Sequence, residues 1–441
     1  MKPLFDLSAY ADRRATFFDR ALPNAALLLP SSPVSQRSHD LIHPYRADND
    51  VSYLTGLEEP ESVALLLGGA DPKVVLFVRP RDPATEKWDG ARLGTEGAVS
   101  ILGADEAYPI DELKQRLGEL LAGRDALYYR LNHRRDVDSV VLDTLDALRG
   151  ARRKPDQAPG AILDPRPVLH DMRRVKRPEE LPILRRAAEI SAEAHLAAMR
   201  HCKPGMMEYE VAALLDHEFR RRGGNGPAFE TIVGGGANAI VLHYITNHEA
   251  LREGDMVLVD AGAEYKLYNG DITRTFPVGK AYSGAQRDLY QAVLNVQVEA
   301  IAKVGEPGQS PDSLTNWSRR ELTRALVDLG LLSGDVDELY ESEAYQRFYM
   351  HNLGHYLGMD VHDVGSYFVG VDKARPFDAG VVYTVEPGLY IPTDDDIPEA
   401  FRGLGVRIED DVLVTENGPE VLTSAAPKAI DEIEAIRREA L

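Results

Sequence analysis

Two nine-residue stretches, GDMVLVDAG from Gly254 and GVVYTVEPG from Gly380, align glycine on glycine and set Asp260 over Glu386 and Gly262 over Gly388. Each is an apolar, β-branched run that reads as strand and ends in an acid, where a carboxylate is a poor choice. Each also follows helical text. EYEVAALLDHEFRRRGG puts Val211, Leu214, Leu215 and Phe219 on one face and stops at glycine, ahead of strand-like text from about Phe229 to Val278. AQRDLYQAVLNVQVEAIAKV and SLTNWSRRELTRALVDLG repeat the order, ahead of strand-like text from about Tyr345 onward. Helices then strands, twice over, predict an α+β unit built as a pseudo-two-fold repeat, with carboxylates at matching places in its two halves.

At 441 residues the chain is too long for one ordinary domain. Its first part alternates the helical patterns RRATFFDRAL and DELKQRLGELLAG with the short apolar strands AALLL, VVLFV and ALYYRL, which predicts an α/β domain. KPDQAPGAILDPRPV, from Lys154, reads as the connection between domains. RVKRPEELPILRRAAEISAEAHLAAMRH then reads as a helix with Pro178 in its first turn and Glu179 and Glu180 beside the N-terminal dipole. The expected domains are residues 1–173 and 174–441. A formal net charge of −21 argues against nucleic acid and acidic membrane as partners. Cys202 is the only cysteine, which excludes an internal disulfide and a thiolate metal cage. MKPLFDLSAYADRR lacks the apolar core of a signal peptide and no apolar run is long enough for a bilayer, so the expected location is cytoplasmic.

VLVDAGAEYKLYNGDITRTF places two acids in strand text. A hairpin centred on Tyr265 and Lys266 would set Asp260 opposite Asp271, about 5 Å apart on one face, whereas Asn269-Gly270 is the stronger turn dipeptide and would shift the register. The same reading around Ile397 and Pro398 sets Glu386 opposite Glu409. Carboxylates 4 Å apart repel by about 1 kcal/mol in bulk water and several-fold more in a partly dry interior, so cations must sit among the four. Two divalent ions would cancel their charge, and oxygen ligands with one imidazole suit Mn²⁺, Co²⁺ or Zn²⁺. HNLGHYLGMDVHD offers His351, His355 and His362 as the imidazole. Taken singly these signals are weak, since a lone strand acid usually faces solvent. The glycines at 234–236 lack the following Lys-Ser/Thr of a phosphate loop and read as a turn, and HEFRR lacks the second histidine of a zinc-protease helix and reads as surface.

Together, HNLGHYLGMDVHD, DAGAEYKLYNGDITRTFPV, TVEPGLYIP and GVRIEDDVLV resemble the metal peptidases of the pita-bread fold, and among them the aminopeptidase P (Xaa-Pro aminopeptidase) group. The likeness runs from about residue 178 to 420. HPYRADNDVSYLTGL and EKWDGARLG extend it more loosely over the N-terminal domain. The resemblance implies an N-terminal α/β domain making oligomer contacts and a pita-bread catalytic domain. It implies two divalent ions, Mn²⁺ above Co²⁺ or Zn²⁺, with Asp260 on one ion, Asp271 and Glu409 bridging both, and His355 and Glu386 completing the set. A hydroxide bridging the two ions would attack the peptide while Glu386 moves its proton. His243 and His362 would lie over the metals as catalytic groups, and His351 would line the proline pocket. Arg407 and Tyr390 would serve substrate binding beside the metals. Trp88 would be presented to a neighbouring subunit's site in a homodimer or homotetramer. The implied reaction releases the first residue from peptides with proline second. Proline's nitrogen carries no N–H in the peptide bond, so its pocket can have apolar walls. The alternatives are a prolidase restricted to Xaa-Pro dipeptides and a non-catalytic binding protein on the same fold.

Overall fold

A computed structural model describes residues 2–150 and 157–441. The chain divides into two units, Met1–Met172 and Arg173–Leu441. Lys154, Pro155 and Asp156, where the expected connection begins, lie outside the described residues.

In the first unit the strands Ala26–Pro30, Val63–Leu67 and Lys73–Val78 are apolar along nearly their whole length, the pattern of strands covered on both faces. They form the middle of a mixed six-stranded sheet, ordered Glu106–Pro109, Lys73–Val78, Val63–Leu67, Ala26–Pro30, Ala126–Tyr128, Ala161–Leu163. Helix Leu113–Leu121 packs Leu113, Leu117 and Leu121 on it, and helix Arg135–Arg149 packs Val137, Val141 and Leu145, each at the i, i+4 spacing of one helical face. The last strand corrects the expected connection. Ala161–Leu163 pairs in parallel with Ala126–Tyr128, so the proline-rich text still supplies a sheet edge, which proline tolerates.

The second unit carries two helix pairs, Leu181–His201 with Glu208–Arg221 and Gly284–Val304 with Pro311–Asp328. Leu181–His201 begins later than expected. Pro182, not Pro178, lies in its first turn, and Glu180 is held outside it by the Arg177 N–H and the Tyr268 hydroxyl. Two three-stranded sheets follow the pairs: Ile232–Gly235, Met256–Asp260 and Thr273–Pro277 in the first half, Val382–Val385, Asp410–Thr415 and Gly418–Val421 in the second. Gly234 and Gly235 thus belong to a strand, and only Gly236, at φ +54°, turns the chain. The repeat is visible in the backbone, since Gly254 and Gly380 both have φ +93° just before their strands. That left-handed conformation suits glycine.

The two acid-bearing ladders differ in register. In the first, Asp260 pairs with Thr273, not Asp271, and Tyr265 pairs with Tyr268, which puts Lys266 and Leu267 in the turn at φ +52° and +69°. Asp271 is therefore diagonal to Asp260, two residues along and on the same face. Asn269 and Gly270 make no turn because packing uses them. The Asn269 amide donates to Gly358 O and Met359 O, and a Cβ on Gly262 would lie 1.6 Å from Gly270 O. In the second ladder Val385 pairs with Asp410 and Gly388 with Arg407. One register runs past Glu386 and Glu409 and sets them opposite each other, as the sequence predicts.

Candidate metal centre

The segment around His355 lies beside the second ladder like an extra strand. The Thr384 N–H donates to His355 O, the Glu386 N–H to Leu353 O and the Leu357 N–H to Val382 O. This approach needs glycine, because a Cβ on Gly354 would lie 1.8 Å from Thr384 O. Thr273 joins the halves: its carbonyl accepts the Glu409 N–H and its hydroxyl donates to Glu409 Oε2 at 2.6 Å. The buried Arg274 guanidinium donates to Thr273 O and Glu409 O and pairs with Asp410 at 2.7 Å.

These contacts bring Asp271, His355 and Glu409 together, with one ligand atom from each within 4.8 Å of the others. Asp260 and Glu386 stand beside them: His355 Nε2 is 3.5 Å from Asp271 Oδ2 and 3.6 Å from Glu386 Oε1. The other ring nitrogen, Nδ1, lies 3.0 Å from Tyr356 O, which can only accept, so in the neutral ring Nδ1 carries the hydrogen. Nε2 then turns a lone pair toward two carboxylate oxygens at distances too long for hydrogen bonds. Asp260 Oδ1 and Asp271 Oδ1 are also buried without a hydrogen-bond partner among the described residues. A lone pair and unpaired buried carboxylate oxygens facing one another are a donor set for a cation. Ligating histidines commonly give their second N–H to a backbone carbonyl, as this one does.

The electrostatics agree. Burial, with the charges of Asp260, Asp411 and Glu386, pushes the Asp271 carboxyl well above the usual carboxylate range. Burial and the charges of Asp271, Glu386 and Asp260 do the same to Glu409. Burial pushes Glu386 up to about 7, against the lowering pull of His355 and Arg407. Without positive charge these acids hold protons, and a divalent ion would replace them.

The centre lies in the wall of a cavity of about 1290 Å³ that His243, His351, His362 and Arg407 also line. Arg407 pairs with Asp260 at 2.7 Å and donates to the Tyr390 hydroxyl oxygen at 2.9 Å. His351 Nδ1 faces Asn352 O at 2.7 Å and its Nε2 faces the Tyr390 hydroxyl at 2.9 Å, so the tautomer with hydrogen on Nδ1 fits, with Tyr390 donating to Nε2. Burial and the Arg407 charge lower His351 to about 3, which keeps it neutral. The His362 ring stacks at a tilt, 4.2 Å from that of His355, and burial with the neighbouring His355 and His243 lowers its pKa. Trp88 is 88% exposed on the first unit, in the short helix Glu86–Asp89.

Sequence reasoning passed over Thr273, Arg274, Thr384 and Asp411. Thr384 gives its hydroxyl oxygen to the His355 N–H, and Asp411 accepts the Asp271 N–H at 3.1 Å. The signal available was alternation: Thr273 and Thr275 share a strand face, and EDD follows Ile408.

Family models and relatives point the same way. The model described as Metallopeptidase family M24 matches residues 182–416, and that described as Aminopeptidase P, N-terminal domain, matches residues 10–128. The chain is 45% identical to an Xaa-Pro aminopeptidase of Escherichia coli and 44% identical to one of Haemophilus influenzae, over 96% of each chain in both cases. Among solved structures it is similar to an aminopeptidase of Pseudomonas aeruginosa (TM-score 0.95, 45% identity) and to a zinc-substituted Escherichia coli aminopeptidase P in complex with product (TM-score 0.95, 44% identity). Both matches cover 99% of each chain.

Proposed function

The chain belongs to metallopeptidase family M24, and from that premise we propose that it is a metal-dependent aminopeptidase releasing the first residue from peptides with proline second. The observation that carries the reading is the cluster of Asp271, His355 and Glu409 with Asp260 and Glu386 beside it in one cavity. All five would hold two divalent ions, and we take these to be Mn²⁺. Bound there, such ions acidify water and polarise a peptide carbonyl.

The chain's own groups do the rest. Glu386, 3.6 Å from His355 at the edge of the cluster, can accept a proton and return it to the leaving nitrogen. His362, held neutral, and His243, which lines the same cavity, can hydrogen-bond the substrate carbonyl as charge builds on its oxygen. Arg407 fixes Asp260 with one guanidinium nitrogen and Tyr390 with another, and Tyr390 in turn sets the His351 ring that borders the proline site. We further assign the protein to the cytoplasm as a homodimer or homotetramer, with Trp88 facing a neighbouring subunit.

The test is product analysis with Mn²⁺-loaded enzyme given Ala-Pro and Ala-Pro-Ala-Ala side by side. Free alanine from the tetrapeptide is the expected result. Cleavage of the dipeptide alone would make the enzyme a prolidase, and cleavage of neither would favour the binding-protein reading.

A further inference from the structure

The cavity that holds the metal cluster is lined by carboxylates, and the chain as a whole is strongly acidic. Among the described residues two arginines and no lysine line it, Arg407 and Arg319. Arg407 is neutralised by Asp260. Arg319, on helix Pro311–Asp328, has no carboxylate partner among the described residues. Its guanidinium donates only to amide oxygens, Asn352 Oδ1 at 3.1 Å and Asn316 Oδ1 at 3.5 Å. The nearest acid on its own helix face, Asp312, is taken by the Asn316 amide instead. Elsewhere in the unit, Arg173, Arg185, Arg222, Arg274 and Arg347 each reach a carboxylate. Among the described residues Arg437 also lacks a carboxylate, but its guanidinium is buried and spent on backbone carbonyls. Arg319 instead lines the acid-lined cavity, and the two asparagines aim it without cancelling its charge.

Its position is defined by a short polar chain. Asn352 bonds Arg319 through its side chain and His351 through its carbonyl; His351 contacts Tyr390, Tyr390 contacts Arg407, and Arg407 contacts Asp260. Arg319 thus lies next to His351 in the same cavity, held by Asn352, the residue that follows His351 in the chain.

Resting on the aminopeptidase reading, we propose that Arg319 binds a carboxylate on the part of the peptide that follows proline. A guanidinium fork takes a carboxylate in two parallel charge-assisted hydrogen bonds. Two sources present that group there, the C-terminus of a short peptide and an acidic side chain after proline. The enzyme would then favour short or acidic Xaa-Pro peptides over neutral extended ones, through KM more than kcat, because the contact is made equally in ground and transition states.

The test compares Ala-Pro-Ala as free acid and as C-terminal amide, with Ala-Pro-Glu-amide as a third substrate, using Mn²⁺-loaded wild type, Arg319→Gln and Arg319→Lys. The wild type should favour the free acid over its amide by about tenfold in kcat/KM, less at high salt. Arg319→Gln should bring the ratio to about one, and Arg319→Lys should restore part of it. If Ala-Pro-Glu-amide matches the free acid, a side-chain carboxylate serves as well; if it behaves like the neutral amide, the site reads the chain terminus. The same acid-to-amide ratio in wild type and Arg319→Gln would overturn the proposal. If no peptide is cleaved, the aminopeptidase reading falls. The carboxylate site is then judged by calorimetry, where equal affinity of wild type for Pro-Ala and Pro-Ala-amide overturns it and a preference lost in Arg319→Gln upholds it.

Discussion

The two acid-bearing ladders of the second unit start from the same sequence pattern and reach the centre differently. In the second half one register, kept on both sides of the acids, sets Glu386 opposite Glu409. In the first half the register is displaced, so that Asp260 faces Thr273 and Asp271 comes in on the diagonal. Thr273 therefore stands where a carboxylate was expected, and its hydroxyl holds Glu409 from the other half. A duplicated fold can keep its acids while shifting one ladder, provided the freed position is spent on a hydrogen bond across the pseudo-symmetry.

The largest effect should come from removing either carboxylate of the crowded cluster. Asp271→Ala and Glu409→Ala are each expected to lose bound metal and roughly 10³-fold or more of kcat, read by metal analysis and steady-state kinetics. Retention of full metal and activity by one of them would break the equivalence of the halves.

Removal of metal sharpens the electrostatic side. Burial raises Glu386 from 4.5 to about 7, so the metal-free fold binds the extra proton and loses stability as pH rises across that range. The loss is roughly 3 kcal/mol, and Asp271 and Glu409 deepen it. Thermal melts of chelated protein should fall across that window, while Mn²⁺-loaded protein should stay level. Calorimetry near pH 6.5 should show protons released on loading.

The paired glycines of the repeat offer a direct contrast. A Cβ on Gly262 would lie 1.6 Å from the Gly270 carbonyl oxygen, whereas one on Gly388 would meet the Tyr390 hydroxyl at 2.6 Å and the Val406 carbonyl oxygen at 2.9 Å, a much milder overlap. Gly262→Ala should therefore cost about 2–3 kcal/mol or more and Gly388→Ala less, measured by urea unfolding. Equal costs would show that the first hairpin is not the tighter one.

The smallest change concerns the turn. Lys266 is exposed at φ +52°, in a two-residue loop with positive φ at both positions. Asparagine tolerates that conformation better, so Lys266→Asn should stabilise by about 0.5 kcal/mol with activity unaltered.

That turn also marks where the sequence stops being legible. Helix ends are written in local chemistry: Ser283 and Gln286 form a reciprocal cap, and Gly223 and Gly330 take positive φ just past their helices. The second half is legible because the same register holds on both sides of its acids, Val385 with Asp410 and Gly388 with Arg407. The first ladder misleads because Asn269-Gly270 has turn chemistry but is consumed by contacts with Gly358, Met359, Ala187 and Ser191, all distant in sequence. His243 lies in text with no periodicity, and only the family resemblance draws attention to it. Thr273 and Arg274 read as ordinary strand residues because their partners lie in the other half. Arg319 reads as helix surface, and its solitude emerges only once the cavity is assembled.

Arg274 has a consequence for how the second unit comes apart. Its buried guanidinium holds carbonyls at Thr273, Glu409, Ala426 and Pro427, so either half opening alone would orphan a charge in the interior. Partial opening is thereby made costly, and the halves should melt as one cooperative block. The amide hydrogens of Asp271 and Glu409, which the same junction shelters, should exchange with solvent only at the rate of global unfolding.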